Sequence, residues 1–94
     1  MFGLVNLTQA MLPLLRLGAS STRSTRIINI SSGGGRASFP NNGIYTATKY
    51  ALESISDALR QEIKKFNVDV VLIEPVCIHH RCILLYIVIY NNMY

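Results

Sequence analysis

Tyr45 and Lys49 stand four positions apart, the spacing that puts two side chains on one face of a helix. A phenol is a poor proton carrier near neutrality. A neighbouring ammonium favours its ionised form, and a phenol so placed can give a proton to a carbonyl oxygen or take one from an alcohol. Ser32, thirteen positions before Tyr45, closes an apolar run. A hydroxyl there can hydrogen-bond the same substrate oxygen and steady the charge building on it. Each residue also has a plainer reading. A Tyr-x-x-x-Lys pair is commonly two neighbours on a helix surface, and a strand-end serine commonly bonds local backbone. Their order along the chain, on the elements expected to carry them, favours chemistry.

Those elements follow from the hydrophobic pattern. Residues 2–16 place Leu4, Leu7, Met11 and Leu14 at helical spacing, with Thr8 and Leu15 beside them and Pro13 set to kink or shorten the helix. Residues 18–25 are small and polar and read as a loop. Arg26–Ser32, rich in β-branched residues, reads as a buried strand. Gly33-Gly34-Gly35 ends it, and a loop follows up to Gly43. A long helix is expected from about Ile44 to Phe66, with Ala51, Ile55, Ala58, Leu59, Ile63 and Phe66 as its apolar stripe and Glu53, Asp57, Arg60, Glu62, Lys64 and Lys65 occupying much of the rest. Asn67 is a helix stop, and Val68–Glu74 a second strand that Pro75 ends.

Helix, strand, helix, strand describes a right-handed parallel crossover in an α/β fold. Two firm strands, with a third suggested in the tail, are too few for a complete doubly wound domain. The expectation is a partial Rossmann-like fold with an incomplete parallel sheet and an irregular apolar tail.

Composition excludes several functions. Half of the 94 residues are hydrophobic and 15% are charged, which suits a packed core. The net charge of +4 comes from basic residues scattered between Arg16 and Arg81, so no nucleic-acid face is expected. The N-terminal stretch lacks a basic leader, and Asn6, Thr8 and Gln9 interrupt it, so it reads as an amphipathic helix. The apolar run Cys82–Tyr90 is far shorter than the roughly 20 residues of a membrane span. Cys77 and Cys82 suggest reduced thiols and an intracellular setting. With His79 and His80 they are metal-ligand types, but there is no second cluster to complete a site, so no metal is expected. No G-x-S-x-G elbow surrounds Ser31 or Ser32, which argues against a hydrolase.

Taken together, RIINISS with its following glycines, Tyr45-Thr46-Ala47-Thr48-Lys49, the helix ALESISDALRQEI and the strand VDVVLIEP resemble the short-chain dehydrogenase/reductase family. The resemblance covers roughly residues 2–78 and is nearest the retinol, hydroxysteroid and 3-hydroxybutyrate dehydrogenases. It implies an oxidoreductase that uses NAD or NADP to interconvert an alcohol and a ketone. Tyr45 would be the acid/base, Lys49 would hold the nicotinamide ribose and favour the phenolate, and Ser32 would orient the substrate oxygen. Backbone around Pro75, Val76 and Ile78 would face the nicotinamide carboxamide. The helices at 2–16 and 44–66 would build a subunit interface as a four-helix bundle. A cytoplasmic or intracellular-membrane setting is implied.

Three features depart from the family. No Gly-rich turn for the pyrophosphate is present: Gly33-Gly34-Gly35-Arg36 follows a strand, Ser38 breaks the G-x-G-x-x-G spacing, and no helix opens there. The family's relay asparagine would precede Met1. Pro75-Val76 replaces Pro-Gly, and valine resists backbone angles that glycine permits. Residues 1–78 are therefore expected to be the C-terminal half of such a domain, and 79–94 a divergent apolar tail. The competing expectation is a non-catalytic fragment that only self-associates through its two interface helices.

Overall fold

Strand β1 (Thr25–Ile30) lies parallel to β2 (Val68–Ile78), with Thr25 opposite Val68 and Ile30 opposite Ile73. The computed structural model describes residues 1–78 and 82–88, with side chains over 1–76. Helix α1 (Phe2–Gly18) precedes β1, and α2 (Gly43–Ile63) makes the crossover between the strands. A 3-10 turn at Gly33–Gly35 follows β1, and another at Lys64–Phe66 follows α2. The arrangement is a small α/β fold, an incomplete Rossmann-like unit.

Asn67 stops the crossover helix as expected. It takes the left-handed conformation (φ 56°), and its side-chain amide donates to the Ser20 and Arg23 carbonyls at 2.5 and 3.2 Å. One residue thus turns the chain into β2 and pins the 18–25 loop.

Pro75 behaves differently from the expectation. It does not end β2, which runs on to Ile78 and pairs antiparallel with a third strand, β3 (Cys82–Val88), Pro75 lying opposite Leu85. What Pro75 ends is the ladder to β1. The Ser31 amide donates to the Ile73 carbonyl at 2.7 Å. The next parallel bond would run from the residue 75 N–H to the Ser31 carbonyl, and proline has no N–H to give. β1 is released at that point, and the glycine turn begins.

Alternation along the strands separates two faces. Ile27 and Asn29 of β1, with Val68, Val70, Leu72 and Glu74 of β2, point toward α2. Ile63, Val68 and Val70 form the buried apolar cluster, with Leu12, Leu15, Ile27, Leu59 and Phe66 against it. Each fully buried aliphatic side chain contributes about 1.5–3 kcal/mol. On the opposite face Ile28 and Ile30 are exposed, and Arg26 pairs with Asp69 at 3.7 Å in the open.

Helix α1 turns a different face inward from the one the apolar pattern suggests, and α2 keeps its expected stripe on the core only at its C-terminal end, where Ile63 is buried and Leu59 and Phe66 pack against the cluster. In α1 the inward residues are Leu4, Val5, Thr8, Leu12 and Leu15, while Leu7, Met11 and Leu14 are exposed. The helix also runs through Pro13 to Gly18. In α2 the buried row is Thr46, Leu52, Glu53, Ser56 and Ile63, so the face on the sheet is largely polar. Ile55, Ala58 and Leu59 also line an apolar groove of about 440 Å³ shared with Leu4, Val5 and Leu12 of α1. Arg16 stacks on the Phe66 ring at 3.5 Å and closes the far end of this pair of helices. Among the described residues no helix is long and apolar enough to cross a membrane.

Candidate functional site

Ser32 sits just past the point where Pro75 cuts the ladder. Its backbone is extended, and its hydroxyl caps the glycine turn by accepting from the Gly34 amide at 3.2 Å. Tyr45 is in the first turn of α2 and is 49% exposed, so its ring is open to a small molecule. The two meet through Gly34: a Cβ there would stand 3.2 Å from Tyr45 Cε1 and 3.4 Å from Thr46 Cγ2. Lys49, one turn further along α2, donates from Nζ to the Ile30 carbonyl at 3.1 Å and lies 5.8 Å from the Tyr45 ring centroid. The Ile30 carbonyl is on the side of β1 away from β2, since Ser31 bonds toward β2. The ammonium is thereby held at the carboxyl end of β1, where open α/β sheets carry their chemistry.

Pro75, Val76 and Ile78 lie within β2, paired with Leu85, Leu84 and Cys82 of β3. Val76 also reaches the glycine turn, where a Cβ on Gly33 would be 2.9 Å from Val76 Cγ2. The side chains of Cys77, His79, His80 and Cys82, weighed above as metal ligands, fall outside the described residues.

All three glycines of the turn are close-approach positions. Val76 closes on Gly33, Tyr45 and Thr46 on Gly34, and Glu53 with Ser31 on Gly35, where a Cβ would meet Glu53 Cγ and Oε1 at 2.9 Å and Ser31 Oγ at 3.0 Å. None has a positive φ, so they serve closeness rather than turn conformation. A turn packed shut on three sides leaves no cradle for phosphates.

Beneath the strand tips is a polar layer that the sequence pattern did not reveal. Asn29 Nδ2 donates to Ser56 Oγ at 2.9 Å, both residues being buried. Glu74 on β2 and Glu53 on α2 are buried as well. Arg36, just after the turn, makes a fork onto Glu74, with Nε at 3.1 and 3.2 Å from the two oxygens and Nη2 at 2.7 Å from Oε1. Its Nη2 is also 3.9 Å from Glu53 Oε2. Burial pushes the Glu53 carboxyl above the ordinary carboxylic-acid range. The Ser31 hydroxyl pulls it down, the Glu74 charge pushes it up, and the Arg36 guanidinium pulls it down. Among the described residues Ser31 Oγ and Glu53 Oε1 are buried and lack a partner in full hydrogen-bond geometry, and both lie over Gly35. The signal for this layer was the row Thr46, Lys49, Glu53, Ser56 and Arg60, which keeps i+3 and i+4 spacing as faithfully as the apolar stripe does.

Comparison with known proteins points one way. The family model for short chain dehydrogenase matches residues 1–82. The 3-ketodihydrosphingosine reductase of Bacteroides thetaiotaomicron is 43% identical over 74 residues, 79% of this chain and 26% of that protein. Retinol dehydrogenase 7 of Mus musculus is 43% identical over 75 residues, 80% of this chain and 22% of that protein. A crystal structure of a short-chain dehydrogenase from Streptomyces avermitilis superposes with a TM-score of 0.72 at 37% identity, covering 88% of this chain and 29% of that one. The chain thus spans about a quarter of the length of the curated relatives it matches.

Proposed function

The chain belongs to the short-chain dehydrogenase family, and on that footing we propose that it carries the proton-handling end of an NAD(P)-dependent oxidoreductase interconverting an alcohol and a carbonyl. The observation that carries the reading is the Lys49 ammonium held at the tip of β1, 5.8 Å from the ring of an exposed Tyr45. Tyr45 gives its phenolic proton to a carbonyl oxygen, or takes one from an alcohol. The Ser32 hydroxyl, already oriented by the Gly34 amide, accepts or donates to the same oxygen.

The cofactor, when bound, supplies the carrier of the hydride equivalent. The residues present fit its nicotinamide end. Lys49 Nζ uses one donor on Ile30, which leaves two for ribose hydroxyls. They do not fit its phosphates, because the one glycine turn is filled by Val76, Tyr45 and Glu53. Pro75, Val76 and Ile78 are assigned the nicotinamide carboxamide by resemblance alone, since that backbone is paired with β3 here. The relatives whose names speak of a sphingoid ketone and of retinol favour an apolar secondary or allylic alcohol as substrate.

Titration of the purified chain with NADH and NADPH, followed by nucleotide fluorescence, tests this. Saturable binding that Lys49→Ala weakens supports it, and absence of binding to both nucleotides overturns it.

A second reading is favoured by α1. Leu7, Met11 and Leu14 form an exposed apolar row on the helix that also borders the groove with α2. The chain then acts by pairing with a copy of itself through α1 and α2, as the family's four-helix interface does. Self-association without nucleotide binding is its signature in the same titration.

A further inference from the structure

Arg36 has no part in the proton transfer just described, yet it is the side chain that joins the glycine turn to both elements beneath it. Its guanidinium forks onto Glu74 of β2 and approaches Glu53 of α2. The turn's own hydrogen bonds are local: the Gly35 amide donates to the Ser32 carbonyl, and the Arg36 and Ala37 amides donate to the Gly33 carbonyl. Among the described residues, Val76, Tyr45 and Glu53 press on the turn's three glycines.

We propose that Arg36 is a positioning residue, whose fork on Glu74 and approach to Glu53 lock the Gly33–Gly35 turn and so fix the Gly34 amide that holds the Ser32 hydroxyl. The inference takes its functional meaning from the dehydrogenase reading but stands on separate geometry. Glu74 is only 4% exposed, and a carboxylate so enclosed demands a charged, bidentate donor. Arg36 is half-exposed, with 52% of its side chain accessible, so the lock sits at the surface and can open without unfolding the sheet. Lysine cannot replace it, because a point charge has no planar fork to span two oxygens. The groups facing Glu53 are Ser31 at the end of β1, Glu74 on β2 and Arg36 from the loop.

Amide hydrogen exchange of the full 94-residue chain, resolved by NMR, tests the inference. In Arg36→Met and Arg36→Lys the Gly34 and Gly35 amides should exchange at least tenfold faster, while Val70 and Leu72 in the sheet keep their rates. Glu74→Gln should loosen the same amides and serves as the reading if Arg36→Met does not fold. Asp57→Asn, which removes an exposed pair with Arg60 elsewhere on α2, should leave them unchanged. Unchanged Gly34 exchange in the Arg36 and Glu74 variants overturns the proposal. So does parental behaviour of Arg36→Lys, or equal acceleration of Gly34, Val70 and Leu72, which would mark a general stabiliser. Exchange does not require nucleotide, so a chain that shows the loosening but binds no NADH or NADPH refutes the dehydrogenase reading and leaves the lock standing.

Discussion

Asn29 and Ser56 are joined by a 2.9 Å hydrogen bond between two buried side chains, one near the carboxyl end of β1 and the other past the midpoint of α2. It ties helix to sheet where the apolar cluster does not reach. Ser56→Ala strands the Asn29 amide in the interior and should lower unfolding free energy by about 1–3 kcal/mol in urea titration. The double change Asn29→Leu with Ser56→Ala removes both polar partners and should be the milder of the two.

Glycine 35 should tolerate no side chain. Gly35→Ala places a methyl 2.9 Å from Glu53 and 3.0 Å from Ser31, and both neighbours are packed in place. A loss of about 1–3 kcal/mol is expected, read as a lower thermal midpoint. Gly3→Ala, in open space inside α1, should instead gain about 0.5–1 kcal/mol.

The two faces of α1 should separate stability from association. Leu12 and Leu15 pack on the apolar cluster, so Leu12→Ala or Leu15→Ala should cost about 1–3 kcal/mol, partial burial placing them toward the low end. Leu7→Ser with Leu14→Ser alters only exposed positions. Stability should stay within about 0.5 kcal/mol, while sedimentation equilibrium should show weaker self-association if α1 is the contact.

Glu53 should make the fold sensitive to rising pH. Its carboxyl holds its proton more tightly folded than unfolded, because burial disfavours the charge. The stabilisation is complete below the ordinary carboxylic-acid range and is lost as pH climbs through the higher folded value. Glu53→Gln should remove that slope from urea midpoints measured across the same span.

Much of the scaffold was legible because its signals are local. The β-branched run before Ser32 gives β1, and Asn67 stops the helix by taking a conformation that few other residues accept. The catalytic candidates were legible as a spacing, Tyr45 with Lys49 on one helical face. What escaped was which face turns inward. Apolar periodicity assumes that the sheet side of a helix is its greasiest side. In α2 that side carries Glu53 and Ser56 beside Leu52 and Ile63, because the partners of the two polar residues, Asn29, Ser31, Glu74 and Arg36, come from distant parts of the chain. Likewise Leu7 and Leu12 of α1 are equally hydrophobic, and only the placement of β1 and α2 decides which is covered. Pro75 misled for a related reason. A proline forbids one hydrogen bond on one side, and the sequence does not say which neighbour stands on that side.

That one-sidedness gives Pro75 a wider reach. Backbone bonds on each flank of a strand recur at every second residue, so moving the proline to position 73 would free β1 one step too early. At position 74 or 76 it would spare β1 and interrupt β3 instead. The length of one strand is therefore written in its neighbour. A single-residue insertion between Val68 and Pro75 would misplace Ser32 without altering any residue near it.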